Sequence, residues 1–159
     1  MKEIKWVQKT EKDNNAVSQI IKEWGSDIIV TKGEIYRGED LDGILAYKNS
    51  EIVGLGLYHI KNGECEIVLL ETFEQNLGIG TQILEKIKET AKNRNCRRIW
   101  LITTNDNIDA IKFYQRKGFN IASFYKNAID KSRRLKPTIP LIGNHDIPIR
   151  DEIEFEINI

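Results

Sequence analysis

Residues 67–91 read IVLLETFEQNLGIGTQILEKIKETA, and this stretch decides the fold. The apolar run Ile67–Leu70 predicts a central strand that is covered on both faces. A short polar turn with Gly78 and Gly80 follows, and apolar residues then recur at helical spacing as far as Ala91. A turn between a strand and a helix leaves N–H groups unpaired at the helix N-terminus, where phosphate or pyrophosphate groups bind. The stretch therefore predicts either a phosphate site or a plain tight turn.

Two common phosphate-binding folds do not fit these residues. The dinucleotide fingerprint GxGxxG needs a third glycine at position 83, which is Ile83. The P-loop pattern GxxxxGK[ST] does not occur in the chain. What is left is a phosphate cradle of another kind, in which Gly78 and Gly80 let the backbone approach a ligand closely.

Hydrophobic periodicity predicts the elements on both sides of this stretch. Before the turn, the sequence predicts one helix at 15–24 and strands at 4–7, 28–31, 34–36, 44–48, 52–60 and 64–72. After it, the sequence predicts helices at 78–93, 107–117 and 128–136 and strands at 98–103, 119–125 and 149–157. A meander followed by alternating helices and strands predicts an α/β fold, with a mixed twisted sheet of six or seven strands and about four helices on both faces. The length suits a single domain over residues 1–159.

The composition excludes several classes of protein. Lys and Arg together number 24, as do Asp and Glu, so the formal net charge is zero and nothing suggests nucleic acid or an anionic membrane as a partner. No run approaches the roughly 18 apolar residues that span a bilayer, and the N-terminus lacks the apolar core of a signal peptide, so we expect a cytoplasmic protein. Cys65 and Cys96 show no metal-type spacing, and the only histidines are His59 and His145, so no metal site is predicted.

Two spaced motifs make the phosphate cradle more specific. The turn reads Gln75-Asn76-Leu77-Gly78-Ile79-Gly80, and residues 107–119 read NIDAIKFYQRKGF. In this order they resemble the GNAT superfamily of acetyltransferases, whose motifs are [Q/R]-x-x-G-x-[G/A] and N-x-x-A-x-x-[F/L]-Y-x-x-x-G-F. The resemblance covers roughly residues 40–126 and implies a GNAT-like fold.

The resemblance implies an N-acetyltransferase that moves the acetyl group of acetyl-CoA to a primary amine by direct transfer in a ternary complex. It implies a small molecule or a peptide as the acceptor, and a homodimer would agree with many relatives. Three alternatives stay open: an acyltransferase that uses a longer acyl-CoA, a module that binds CoA or acyl-CoA without turnover, and a nucleotide-binding regulator. The second motif argues against the regulator, and its Tyr114 argues against the module.

The resemblance also assigns cofactor contacts residue by residue. Backbone N–H groups of the turn would bind the pyrophosphate of coenzyme A, and the Thr81 hydroxyl would add to them. Leu70 and Thr72 would offer backbone groups to the pantetheine arm, where two central strands part. Asn107 would contact the same arm while it caps its helix. The turn residues are Gln75, Asn76, Leu77, Gly78, Ile79 and Gly80.

The chemistry of the transfer points to two catalytic residues. Tyr114 is expected to protonate the leaving thiolate, because a phenol with a pKa of about 10 keeps its proton at neutral pH. Glu71, at the end of the central strand, is the first candidate for a base that takes the proton of the amine. Glu66 on the same strand and a chain of water molecules are the alternatives.

Two charged segments near the C-terminus receive simpler interpretations. The basic residues of 131–136 could touch a ligand phosphate, but a solvated helix face is expected. The acidic residues of 151–156 are expected on the outer face of an edge strand rather than in an amine site. They are Asp151, Glu152, Glu154 and Glu156.

Overall fold

The computed structural model describes residues 3–75 and 77–159 and contains nine strands. They are β1 Lys5–Gln8, β2 Ile28–Thr31, β3 Glu34–Arg37, β4 Asp42–Lys48, β5 Glu51–Lys61, β6 Glu64–Thr72, β7 Arg98–Thr104, β8 Asn120–Tyr125 and β9 Glu152–Asn158. Seven of them form one sheet in the order β1-β4-β5-β6-β7-β9-β8, in which β6 and β7 are parallel and the other neighbours antiparallel. Strands β2 and β3 pair only with each other, and we call them the hairpin.

Four α-helices complete the fold. They are α1 Asn14–Lys22, α2 Ile79–Asn93, α3 Ile108–Arg116 and α4 Ala128–Leu135. The prediction of a mixed sheet of six or seven strands with about four helices is confirmed. None of the helices in the described part of the chain is long and apolar enough to cross a membrane.

The two faces of the sheet have separate hydrophobic cores. Helices α2 and α3 pack on one face, where Ile83, Ile87 and Tyr114 join the buried strand residues. Helix α1 packs on the other face through Val17 and Ile21. Helix α2 lies very close to the sheet because β5 offers glycine there: a Cβ atom on Gly56 would come within 2.4 Å of Ile83.

The parallel strands β6 and β7 separate halfway along their length. Their register runs from Glu64 opposite Arg98 to Ile67 opposite Leu101 and then ends, although each strand continues further. Just beyond this point β6 has one residue more than its other neighbour, β5, so that Val68 forms a bulge. A bulge increases the local twist and bends the strand, which turns β6 away from β7. We call the resulting gap the opening.

One expectation about the C-terminal strand is wrong. Strand β9 is not an edge strand but lies between β7 and β8, and it begins at Glu152 rather than at Ile149. Glu152 and Glu154 are only 3% and 4% exposed. They are buried because the hairpin folds over them, and Lys32 at its tip donates its backbone N–H to Glu152 and its ammonium group to Glu154.

Candidate active site

The opening between β6 and β7 forms a cleft of about 330 Å³ that passes through the sheet. Its lining includes residues that face α2 and α3, such as Leu70 and Thr72, and residues that face the hairpin side, such as Glu71 and Ile102. A cleft with this lining joins the two faces of the sheet. A ligand on one side can thus meet a ligand on the other without crossing the core.

The cleft continues into a wider depression of about 700 Å³ at the N-terminus of α2, which we call the α2 depression. The two cavities share Thr72, Gly80, Asp109 and Phe113 in their linings. Both volumes fall in the range of small-molecule sites, and together they form one continuous groove.

Most of the predicted cofactor residues lie along this groove. Leu70, Thr72, Gly80, Asn107 and Tyr114 line the cleft. Leu77 is half-exposed and lines neither cavity, and Asn76 lies outside the described residues. The predicted residues that line the α2 depression are Thr72, Gln75, Gly78, Ile79, Gly80 and Thr81.

Gly78 begins helix α2 in a left-handed conformation. Its φ of 67° is one that residues with a Cβ rarely adopt, and its carbonyl accepts the first helical hydrogen bond, from Gln82 at 3.0 Å. The N–H groups of Ile79, Gly80 and Thr81 precede that bond, so they are the ones a helix leaves for a ligand. Because these residues line the α2 depression, the helix N-terminus presents partial positive charge to it.

Gly80 marks the narrow point between the two cavities. A Cβ atom there would lie 3.5 Å from the Thr72 methyl group and 3.8 Å from the Phe113 ring, which is ordinary contact. Alanine would therefore fit, whereas the two methyl groups of valine would project into the shared lining.

Asn107 has the capping role that its sequence position predicts. Its side-chain carbonyl accepts a hydrogen bond from the Ala110 backbone N–H at 3.1 Å at the start of α3. The residue also lines the cleft, so capping does not remove it from the groove. The cap fixes where α3 begins and hence where Tyr114, two turns later, meets the cleft.

Tyr114 is a buried aromatic residue that reaches the cleft. Its ring stacks on Phe113 at 5.1 Å and meets the edge of Phe119 at 5.4 Å, which fixes its orientation. Burial, together with the negative charge of Glu71, raises its pKa well above the usual range. Its hydroxyl has no hydrogen-bond partner among residues 3–75 and 77–159, and it keeps its proton throughout the physiological range.

Glu71 lines the same cleft from the hairpin side. Burial raises the pKa of its carboxyl group, and a hydrogen bond from the Thr72 backbone N–H offsets only part of this rise. A carboxylate with a raised pKa is a stronger base than an ordinary carboxylate. Glu71 and Tyr114 therefore line the same cleft, a carboxyl group with a raised pKa and a phenol that keeps its proton.

Glu66, the alternative base, has a different environment. It is 3% exposed, and both of its oxygens accept hydrogen bonds from the hairpin, from the Thr31 hydroxyl at 2.6 Å and the Tyr36 hydroxyl at 2.7 Å. Burial raises its pKa despite these two donors. Its contacts anchor the hairpin to the sheet, and the residue does not line the cleft.

The hairpin side of the sheet carries an excess of carboxylates. Glu66 pairs with His59 and Glu71 with Leu55, four residues apart on β5, so both glutamates point to the same face. Six glutamates share this face. Three of them form ion pairs with Lys32, Arg97 or Arg98, and these three are Glu64, Glu154 and Glu156. Among the described residues no ion pair reaches the other three, which are Glu66, Glu71 and Glu152.

Sequence reasoning missed a row of cations on α3. Five residues at helical spacing line the α2 depression, and three of them are basic. They are Asp109, Lys112, Phe113, Arg116 and Lys117. The spacing of the three basic residues was a usable signal. It could not be used without knowing that this face of α3 turns toward the turn before α2.

The basic residues of 131–136 lie elsewhere, and they are only partly a solvated face. The Arg133 guanidinium donates to the carbonyls of Pro140 and Ile149 at 2.8 Å, and the Lys136 ammonium donates to the carbonyl of Ile28 at 2.9 Å. They hold the loop between α4 and β9, and the hairpin, in place. Neither residue lines the cleft or the α2 depression.

Comparison with known proteins adds a family to this geometry. The model of the "Acetyltransferase (GNAT) family" matches residues 1–119. The uncharacterized protein YdhI of Bacillus subtilis is 46% identical over 135 residues, which cover 84% of this chain and 84% of that protein.

Solved structures of acetyltransferases share the fold over nearly the whole chain. The IAA acetyltransferase from Bacillus cereus matches with a TM-score of 0.71 at 18% identity, over 99% of this chain and 100% of that one. A GNAT family acetyltransferase from Elizabethkingia anophelis, solved with acetyl-CoA bound, matches with a TM-score of 0.68 at 22% identity, over 98% of both chains.

Proposed function

Because this chain belongs to the acetyltransferase (GNAT) family and is an acyltransferase, we propose that it transfers the acetyl group of acetyl-CoA to a primary amine. The observation that carries the proposal is the cleft through the sheet. A helix N-terminus suited to phosphate groups lies on one side of it, and the Glu71 carboxylate, suited to a cationic amine, lies on the other.

The residues along the groove fit coenzyme A. The α2 depression offers the N–H groups of Ile79–Thr81 to the pyrophosphate, and the edge of β6 from Leu70 to Thr72, which has no β7 residue opposite it, offers backbone groups to the pantetheine arm. The Elizabethkingia protein of the same fold binds acetyl-CoA, which supports this placement. In this arrangement the arm points through the opening toward Glu71.

Acetyl-CoA supplies a thioester carbonyl for the amine nitrogen to attack. An amine that arrives protonated loses two protons in all, one before it attacks, because only the neutral nitrogen has a free electron pair, and one as the amide forms. The Glu71 carboxylate accepts one of them directly or through one water molecule, and the other passes to solvent. As the carbon–sulfur bond breaks, the Tyr114 hydroxyl donates its proton to the departing sulfur. Its raised pKa keeps that proton available, and the resulting phenolate regains a proton from solvent after the thiol leaves.

The hairpin side supports an amine as the acceptor. A protonated amine is drawn to Glu71, which lines the cleft and forms no ion pair among the described residues, although the chain as a whole has no net charge. The base and acid pair favours an enzyme over a module that only binds CoA, since binding alone needs no proton donor in the cleft.

A thiol-release assay tests the proposal. The protein is mixed with acetyl-CoA and a panel of amines, peptides and polyamines, and the masses of the products are measured by mass spectrometry. We expect free coenzyme A in equal amount to an acceptor heavier by one acetyl group. Tight binding of coenzyme A with no acceptor modified across the panel would support the binding module instead. A parallel series with longer acyl-CoA donors decides the acyl preference.

A further inference from the structure

We infer that Lys112, Arg116 and Lys117 bind the 3′-phosphate of coenzyme A, so that the protein discriminates acetyl-CoA from its 3′-dephospho form. This inference rests on the proposed function and deepens it. It concerns a second anion site, separate from the N–H groups of the turn.

The three cations project from one face of the chain around α3 into the α2 depression. They stand three, seven and eight positions after Asp109, which itself lines the depression, and this spacing places them on one side of a helix. Among residues 3–75 and 77–159 none of the three forms an ion pair. They are thus cations that the protein itself does not neutralise.

The acidic residues of the depression do not cancel this charge. Glu74 is engaged by Lys48 outside the cavity, with an N–O distance of 3.0 Å, which leaves Asp109 against three cations. The N-terminus of α2 adds partial positive charge from the opposite wall. The α2 depression is therefore positive from two independent sources.

The ligand carries anionic groups for two separate sites. Coenzyme A carries a pyrophosphate and, on the ribose, a separate phosphomonoester. The N–H groups at the start of α2 suit the pyrophosphate, as in other helix N-terminal sites. A phosphomonoester carries a charge of about −1.5 to −2 at neutral pH and is bound by basic side chains. At about 700 Å³ the depression has room for a nucleotide between these two sets of donors.

A purely structural role for the cations makes a different prediction. Arg116 and Lys117 lie at the C-terminal end of α3, where positive charge stabilises a helix. Lys112 lies in the middle of α3 and gains nothing from that effect. Removing Lys112 therefore separates ligand binding from helix stability.

The test is calorimetric titration with coenzyme A and with 3′-dephospho-coenzyme A, which needs no acceptor amine. We expect the unchanged protein to bind coenzyme A roughly 10–100-fold more tightly than the dephospho form. Lys112→Ala and Arg116→Ala should each lose most of this preference, with unchanged affinity for the dephospho form. Lys92→Ala, at the exposed far end of α2, is the matched control and should keep the full preference.

Each outcome decides between binding of the 3′-phosphate and a structural role for the three cations. Equal affinity of the unchanged protein for both ligands would overturn the inference and leave the proposed function standing. Equal loss of both affinities in Lys112→Ala, with a lower melting temperature, would show a structural role and also overturn it. If neither ligand bound, the proposed function would fall and the inference with it.

Discussion

The two faces of the central sheet carry opposite charge. On the side of α2 and α3, Lys112, Arg116 and Lys117 and a helix N-terminus surround the groove. On the hairpin side, six glutamates outnumber the three cations that form ion pairs with them. The difference teaches that a chain with a net charge of zero can still carry opposite charges on the two faces of one β-sheet.

This division matches the needs of a reaction between an anionic donor and a cationic acceptor. In the proposed function each ligand is attracted to its own face, and the cleft is the place where they would meet. Glu71 and Tyr114 line that cleft from the two sides, so the proposed base belongs to the hairpin side, the acceptor face, and the proposed acid to the side of α2 and α3, the donor face. The following changes test the two faces separately.

The largest effect is expected from closing the donor face. Gly80→Val should lower the affinity for coenzyme A by at least roughly 100-fold, because the valine methyl groups would enter the lining shared by the cleft and the α2 depression. Calorimetric titration measures the loss. Gly80→Ala is the control, since its Cβ makes only ordinary contacts, and it should bind within about tenfold of the unchanged protein. Normal binding by the valine variant would place the cofactor elsewhere.

Loss of the acid should affect rate and spare binding. Tyr114→Phe is expected to lower kcat by roughly 100-fold or more, because the thiolate then leaves without a proton. The affinity for coenzyme A should stay unchanged, since the ring still stacks on Phe113 and Phe119. Steady-state kinetics with the acceptor found in the thiol-release assay measures both. An unchanged kcat across the pH range would remove Tyr114 from the chemistry.

Loss of the base should change the pH dependence of the reaction. Glu71 acts in its ionised form, so activity should fall as pH drops through its pKa, and burial places this fall above the pH at which an ordinary glutamate titrates. Glu71→Gln should lower kcat/KM by roughly 10–100-fold and abolish that acid limb. Glu66→Gln is the comparison. If it abolished the limb while Glu71→Gln kept it, Glu66 would be the base.

The smallest effect is expected where the hairpin is anchored to the acceptor face. Tyr36→Phe removes one of two donors to the buried Glu66 carboxylate and should lower the free energy of unfolding by about 1–3 kcal/mol. The pKa of Glu66 is raised in the folded protein, so the cost of burying its charge is present at high pH and vanishes as the group binds a proton.

The pH dependence of that variant gives its control. Because the lost hydroxyl stabilises the ionised form, the destabilisation should be larger at about pH 8 than near pH 4.5, and thermal unfolding at both pH values measures it. A loss of equal size at both would mean that Tyr36 contributes packing rather than a hydrogen bond to a charge. The donor face should not respond, so the affinity for coenzyme A is expected to stay the same.

The sequence predicted the parts of the site that depend on neighbours along the chain. The start of α2 at the glycine turn, the cap at Asn107 and the position of Tyr114 two turns later all follow from local spacing. The prediction of a mixed sheet with helices on both faces also followed from the order of elements. In each case a short segment carries the whole signal.

The predictions that were wrong or missing depend on contacts between residues that are far apart in the sequence. Strand β9 alternates glutamate with apolar residues, and this pattern reads the same on an edge strand as on a strand whose polar face is covered by another element. Only the docking of the hairpin, more than a hundred residues earlier, buries Glu152 and Glu154. The contact between Tyr36 and Glu66 spans 30 residues and has no local signature.

The most direct measurement of the central claim is an NMR titration of the ¹⁵N-labelled protein with acetyl-CoA. If the donor lies in the groove, the backbone amides of Gly80 and Thr81 should show the largest saturable shifts, together with those of Leu70 and Thr72 at the opening. The amides of the hairpin should stay nearly unchanged until an amine is added. Saturable binding that shifts the amide signals of the hairpin and leaves the signals of Gly80 and Thr81 unchanged would contradict the account.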